Sequence, residues 1–231
     1  MTLLGGHAMT AITAITAQNT LGVQGVHAMP TDMVLAQMES CISDIGVDAV
    51  KIGMIGSAET ASAVADRLAQ LGDIPIVFDP VMVSTSGSAL ADDATIAAFE
   101  RLMALAAITT PNLPELAALG GETAVRGKTK AVLIKGGHGT EEMLVDRLFE
   151  PDGTETIWQD GRIDTPHTHG TGCTLASAIA TGLAQGMSLI DSIARARRFV
   201  RAALQSAPGL GQGHGPMGFA TDLLSNPGKA S

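Results

Sequence analysis

Short β-branched and apolar runs alternate along this chain with longer segments of helical period, and that alternation leaves few folds open. Residues 48–52 (DAVKI), 75–79 (PIVFD), 106–110 (AAITT) and 130–135 (KAVLIK) read as short buried strands. Residues 7–16 (HAMTAITAIT) alternate with period two and read as a further strand. Residues 143–149 and 154–158 flank Pro151-Asp152-Gly153, a turn signal, and predict a small antiparallel pair. Helices are predicted over 31–45, 57–71, 92–105, 171–185 and 188–206. The second opens on Ser-Ala-Glu-Thr and closes at Gly72; the last stops ahead of Pro208-Gly209. Such an order implies an α/β fold whose mostly parallel sheet is covered on both faces. Ligands of these folds sit at the carboxyl ends of the strands. The 231 residues read as a single domain, with residues 207–231 a Gly-rich tail that is expected to be loose in part.

Charge and composition narrow the function. Lys and Arg number 14 against 23 Asp and Glu, a formal charge of −9, which argues against nucleic acid or an anionic membrane as partner. It leaves room for a small anionic ligand held by backbone dipoles. Aromatic residues are only 3% of the chain, too few to build base-stacking platforms. No apolar run reaches the roughly 18 residues that would span a bilayer. The first twenty residues lack Lys, Arg and a solid apolar block, unlike a secretory signal. Cys41 and Cys173 make no disulfide framework, so the cytoplasm is the expected compartment.

The sharpest chemical signal is His169-Gly170-Thr171-Gly172-Cys173-Thr174, which runs directly into a helix. Glycines at a helix start leave backbone N–H groups free, and the helix dipole adds about half a positive charge there. Such a cradle suits phosphate oxygens and the charge that builds up in phosphoryl transfer. The plainer reading is an ordinary glycine-rich loop. Cys173 lies in the first turn, where a thiol's pKa can fall toward neutrality and let it accept a proton. The plainer reading is a small buried hydrophobe, which is the reading given to Cys41.

Three further groups end predicted strands. Asp79 closes PIVFD, and a carboxylate there faces the ligand crevice. Asn112 and Glu115, in TPNLPEL, are three residues apart and share a helical face. Oxygen donors of that kind suit Mg2+, which keeps water and bridges phosphates. Each of them alone is more often an N-terminal cap or a solvated charge. Lys135, in KGGH, could meet a phosphate beside glycines that admit a nucleotide. The six histidines show no metal-ligand spacing.

Together these stretches resemble the ribokinase superfamily, and within it the hydroxymethylpyrimidine/phosphomethylpyrimidine kinases of thiamine synthesis. The matching stretches are residues 13–27, 47–57, 77–87, 110–116, 132–138 and 169–180, in family order. The superfamily commonly has Asp where this chain has Cys173; cysteine there is typical of the hydroxymethylpyrimidine kinases. The resemblance implies a three-layer α/β/α sandwich and transfer of phosphate from ATP, with Mg2+, to a hydroxymethyl oxygen. It implies Gln18 bonding the aminopyrimidine ring, with Met54 and Val81 packed against it. Cys173 would be the base and the backbone of Gly170, Thr171, Gly172 and Cys173 the anion hole. Asn112 and Glu115 would organise Mg2+ with help from Asp79, and Lys135 would lie near the nucleotide. It also implies a homodimer.

The chain departs from the family pattern twice. Family members carry a strand and a Gly-rich loop ahead of the helix in which Met1 falls, so a sheet without its usual first strand is expected. The stretch LGGETAVRGKTK is too short for the helix that usually precedes VLIKGGH. Two rivals stay open on the sequence: a pyridoxal kinase, and a non-catalytic protein that keeps a pyrimidine or nucleotide pocket.

Overall fold

A computed structural model of the chain describes residues 1–82, 91–138 and 142–219. Its centre is a six-stranded sheet formed by β3 (Val50–Ile52), β4 (Ile76–Phe78), β5 (Ile108–Thr109), β6 (Val132–Ile134), β7 (Met143–Phe149) and β8 (Glu155–Gly161), in that spatial order. The β3 to β6 pairs are parallel, and β7 and β8 continue the sheet antiparallel around the Gly153 turn. Helices α2 (Ala58–Leu68) and α3 (Asp93–Leu105) make the first two crossovers. The third holds α4 (Leu113–Ala118) and α5 (Glu122–Arg126). Helix α1 (Thr31–Asp44) lies ahead of the sheet; α6 (Thr171–Ala184) and α7 (Leu189–Gln205) follow it.

The central strands β4, β5 and β6 are buried on both faces, as their short, almost wholly apolar sequences require, whereas β8 alternates exposed and half-buried residues. Ile76 and Phe78 pack into one core with Val64, Leu68, Phe99 and Leu102, whereas Val77, between them, enters the other with Ile179 and Ile193. The period-two alternation of a strand thus supplies both layers. The result is the three-layer α/β/α sandwich that the sequence implies.

One edge of the sheet is open. Val50 donates to Pro75 and Ile52 accepts from Asp79, so the intervening Lys51 turns its backbone polar groups outward. Among the described residues no strand pairs with that edge. A groove of about 520 Å³ runs along it, lined by apolar side chains such as Val34, Met38, Ile42 and Ile55, and reaches Lys51 and Met54.

Two expectations need correction. Residues 7–13 are not strand; the strand is β1 (Ala14–Asn19), paired antiparallel with β2 (Gly22–Ala28) in a separate hairpin. Strand structure needs a ladder partner, and β2 faces the chain only from Ala14 onward. The short segment before β6 does hold a helix, the five-residue α5, started by Gly121 at φ 87° and anchored by buried Val125. Part of the Gly-rich tail is tied down: Gly218 donates to Ala203 and Met217 is buried, while residues 208–212 are exposed. Residues 220–231 lie outside the described residues.

Candidate active site

The carboxyl ends of β3, β4, β5 and β6 and the start of α6 converge on one cluster. Asp79 follows β4 directly and is almost fully buried, at 1% exposure. It is held because two lysines and a hydroxyl surround it. Lys135 Nζ lies 2.7 Å from Asp79 Oδ1, Lys51 Nζ lies 4.0 Å from Oδ2, and the Thr110 hydroxyl donates to Oδ1 at 3.1 Å. Burial alone would raise the Asp79 pKa; Lys135, then Lys51, outweigh it and hold the carboxyl below its usual range. Burial alone would lower Lys135, but Asp79 and Glu115 push it above the usual lysine value.

Asn112 and Glu115 start α4. Asn112 Oδ1 accepts from the Glu115 amide and Glu115 Oε2 accepts from the Asn112 amide, both at 2.8 Å, a reciprocal capping box. The plain capping role is therefore real. It also aims the Glu115 carboxylate at the cluster, 3.8 Å from Lys135 Nζ. Burial raises the Glu115 pKa and Lys135 only partly offsets it. A buried carboxylate short of positive charge suits a small hard cation. No group of three or more His, Cys, Asp or Glu side chains among the described residues could cage one. Mg2+ fits that set, because it takes one or two carboxylates and fills its shell with water and phosphate.

The start of α6 faces this cluster. Gly170 is its N-cap at φ 79°, a left-handed conformation that a side chain would strain. No side chain caps the helix and no acidic residue stands in its first turn; the Thr171 amide turns back to the Thr168 carbonyl at 3.3 Å, which leaves those of Gly172 and Cys173 as the leading amides toward the crevice. A methyl on Gly172 would sit 3.3 Å from Lys135 Nζ and 3.8 Å from Asp79 Oδ2, so the helix start touches the charged pair.

Cys173 is solvent-exposed, but it lies in a crevice crowded by protein. That crowding raises its thiol pKa, against the lowering expected of a first-turn cysteine. The positive charges of Lys51 and Lys135 pull the other way, while Asp79 adds to the rise. Desolvation outweighs the two lysines here.

The structure thus brings Asp79, Asn112, Glu115, Lys135, Gly170, Thr171, Gly172 and Cys173 to one place. Met54 is half-buried at the end of β3, its carbonyl bonded by the Thr13 hydroxyl at 2.6 Å; Val81 is half-buried just after Asp79. Gln18 stands apart, exposed on β1 beside a bulge between Ala17 and Gln18. Sequence reasoning missed Lys51 and Thr110. Lys51 carried a signal, a lone charge inside a short apolar strand. It also explains Gly53: any side chain there would fall 2.3 Å from the Lys51 ammonium.

A sequence model of the phosphomethylpyrimidine kinase family matches residues 1–218. The chain belongs to the phosphomethylpyrimidine kinase family. The hydroxymethylpyrimidine/phosphomethylpyrimidine kinase of Rhizobium meliloti is 44% identical over 231 residues, covering 93% of this chain and 86% of the relative. Among solved structures, an ADP complex of Bacillus subtilis pyridoxal kinase superposes with a TM-score of 0.86 at 29% identity, over 96% of this chain and 90% of that one. The phosphomethylpyrimidine kinase of Clostridium difficile 630 gives 0.74 at 32% identity, over 87% of each chain. This family member therefore keeps the fold of its relatives around the cluster described above. Among its described residues, no helix is long and apolar enough to cross a membrane.

Proposed function

We propose that this chain transfers the γ-phosphoryl group of ATP to the hydroxymethyl oxygen of 4-amino-5-hydroxymethyl-2-methylpyrimidine, and then a second one to the monophosphate so formed. The observation that carries this reading is the uncapped start of α6, with Cys173 in its first turn, set against the Lys135–Asp79 pair at the strand ends.

In phosphoryl transfer the protein mostly positions the reactants and neutralises charge. The amides of Gly170, Gly172 and Cys173, and that of Thr171 once it leaves the Thr168 carbonyl, receive the oxygens of the migrating group, and the helix dipole favours its negative charge. The substrate hydroxyl forms the new P–O bond, the bond to the β-phosphate breaks, and ADP leaves. The hydroxyl proton passes to the Cys173 sulfur. The positive charge of Lys51 favours the thiolate that accepts it. Lys135 supplies fixed positive charge to the phosphates. Asp79 holds Lys135 in place and, with Asn112 and Glu115, would hold Mg2+ through water. The cation supplies charge neutralisation to the phosphates when bound. Gln18 bonds the aminopyrimidine, and Met54 and Val81 flank its ring.

A pyridoxine-type alcohol is the second reading, favoured by the close superposition on a pyridoxal kinase. A panel of hydroxymethylpyrimidine, its monophosphate, pyridoxine and pyridoxal, scored by kcat/KM, tests both. The first reading expects the two pyrimidines to lead, and it is withdrawn if either pyridine does. Turnover of any of them excludes the non-catalytic alternative.

A further inference from the structure

The β1–β2 hairpin is a poor structure by itself. An isolated two-stranded ribbon is marginal in water, and this one leaves Ile15, Leu21 and Val26 exposed. Its base is tied down: Met29 donates to Thr13, and the Thr13 hydroxyl to Met54. Its tip is held chiefly at one residue among those described. Thr20, in the turn between the strands, is half-buried while both its neighbours are exposed.

What covers Thr20 is the segment Gly209 to Met217. The Thr20 carbonyl accepts from the His214 amide at 2.8 Å, and its hydroxyl oxygen accepts from Gln212 at 3.2 Å and Gly213 at 3.4 Å. The glycines of this strap are there for space. A Cβ on Gly213 would stand 2.3 Å from the Thr20 carbonyl oxygen, and one on Gly211 would stand 2.4 Å from the Thr20 methyl. The same strap then turns to the loop before α6. The His214 ring meets the Thr168 hydroxyl at 3.4 Å, and the Gly215 carbonyl accepts from His169 at 3.2 Å. A Cβ on Gly215 would lie 2.2 Å from His167 Nδ1. One strap residue, His214, thus links the hairpin tip to the residues just ahead of Gly170.

We propose that Thr20 is a positioning residue for the pyrimidine: the glycine strap latches the hairpin tip to the catalytic loop and so holds Gln18, two residues away, over the substrate. The inference rests on the reading in which Gln18 meets the pyrimidine. Thr20 touches no reacting atom; it acts through the placement of β1. An unlatched hairpin spends part of its time away from the site. That weakens pyrimidine binding and leaves the nucleotide side, built on α4, α6 and Lys135, as it was.

The test is steady-state kinetics on four variants of the full chain, with thermal melts beside them. Thr20→Val keeps the shape and removes the acceptor. It should raise the KM for hydroxymethylpyrimidine about tenfold, with kcat and the KM for ATP within about twofold of wild type. Thr20→Ser should restore pyrimidine KM, and Gly213→Ala, which evicts the strap through the Thr20 carbonyl, should reproduce or exceed the Thr20→Val effect. Gln18→Leu separates the two claims. If Gln18→Leu raises pyrimidine KM and Thr20→Val does not, the latch is wrong and the Gln18 reading stands. If Gln18→Leu leaves pyrimidine KM unchanged, the Gln18 reading fails and the latch to it falls too. A Thr20→Val protein that loses kcat, ATP affinity and melting temperature together shows a merely structural contact and overturns the proposal.

Discussion

Replacing Lys135 by Met removes the main partner of a carboxylate that has nowhere to go. Asp79 is 1% exposed, 2.7 Å from Lys135 and 4.0 Å from Lys51. At an effective dielectric of about 20, those separations correspond to about 6 and 4 kcal/mol of attraction before desolvation is counted. Breaking a buried pair by removing one partner costs roughly 3–5 kcal/mol, because the other charge stays buried. Lys51 remains, so the lower end applies: a loss of about 3 kcal/mol, or about 6–12 °C in Tm for a domain of this size. The sign with pH follows from the shifts. Asp79 titrates below its unfolded value, so its contribution is present above about pH 4 and is lost as pH falls through the folded pKa. Lys135 titrates above its unfolded value, so its contribution is present below about pH 10 and is lost as pH rises through the folded pKa. Urea unfolding of wild type and variant should therefore show the full gap from pH 5 to 9. Adding Asp79→Asn should restore more than half of the stability and none of the activity. A single variant that loses less than about 1 kcal/mol would refute the buried-pair reasoning.

Other consequences follow from the same cluster. Glu115→Gln keeps the capping box but removes an ionised group that burial disfavours, so at pH 8 its Tm should match or exceed wild type while Mg2+-dependent turnover falls; a clear drop in Tm would count against the uncompensated charge. Cys173→Ala should lower kcat about a hundredfold with little change in the KM for ATP. Because the Cys173 thiol sits above its ordinary range, the thiolate fraction is small near neutrality, and wild-type kcat should climb between pH 7 and 9; a plateau already reached at pH 6.5 would remove the thiol from the base role. Gly170→Ala meets no atom within 4 Å but must adopt φ near 79°, at a cost of about 1–2 kcal/mol. Its kcat should fall while its melting curve moves by only a few degrees, and unchanged turnover would show that the amides ahead of Thr171 do not set the rate.

The parts of this fold that were legible in the sequence are those in which one local rule decides. Strands β4 and β6 are apolar runs bounded by Asp79 and Lys135, and helices α2 and α3 open on Ser57 and Asp92, which cap them as their residue types suggest. The start of α6 was legible for the same reason, since Gly170 supplies the left-handed turn that opens the helix. What escaped depends on partners distant in sequence. The hairpin begins at Ala14 because β2 begins to pair there, and nothing in HAMTAITAIT marks that point. The glycines of residues 209–218 read as slack, yet they are small because Thr20, His167 and Ser206 press against them. The Cys173 thiol shifts opposite to the helix-start rule because burial in the crevice outweighs the pull of Lys51 and Lys135, which come from other strands.

The central claim is tested most directly by following ADP release when purified chain, ATP and Mg2+ are given hydroxymethylpyrimidine. The account predicts pyrimidine-dependent release of two ADP per pyrimidine as the mono- and then the diphosphate form, and its near-abolition in Cys173→Ala. Absence of any pyrimidine-dependent ADP in the wild-type chain, or full release by Cys173→Ala, would contradict it.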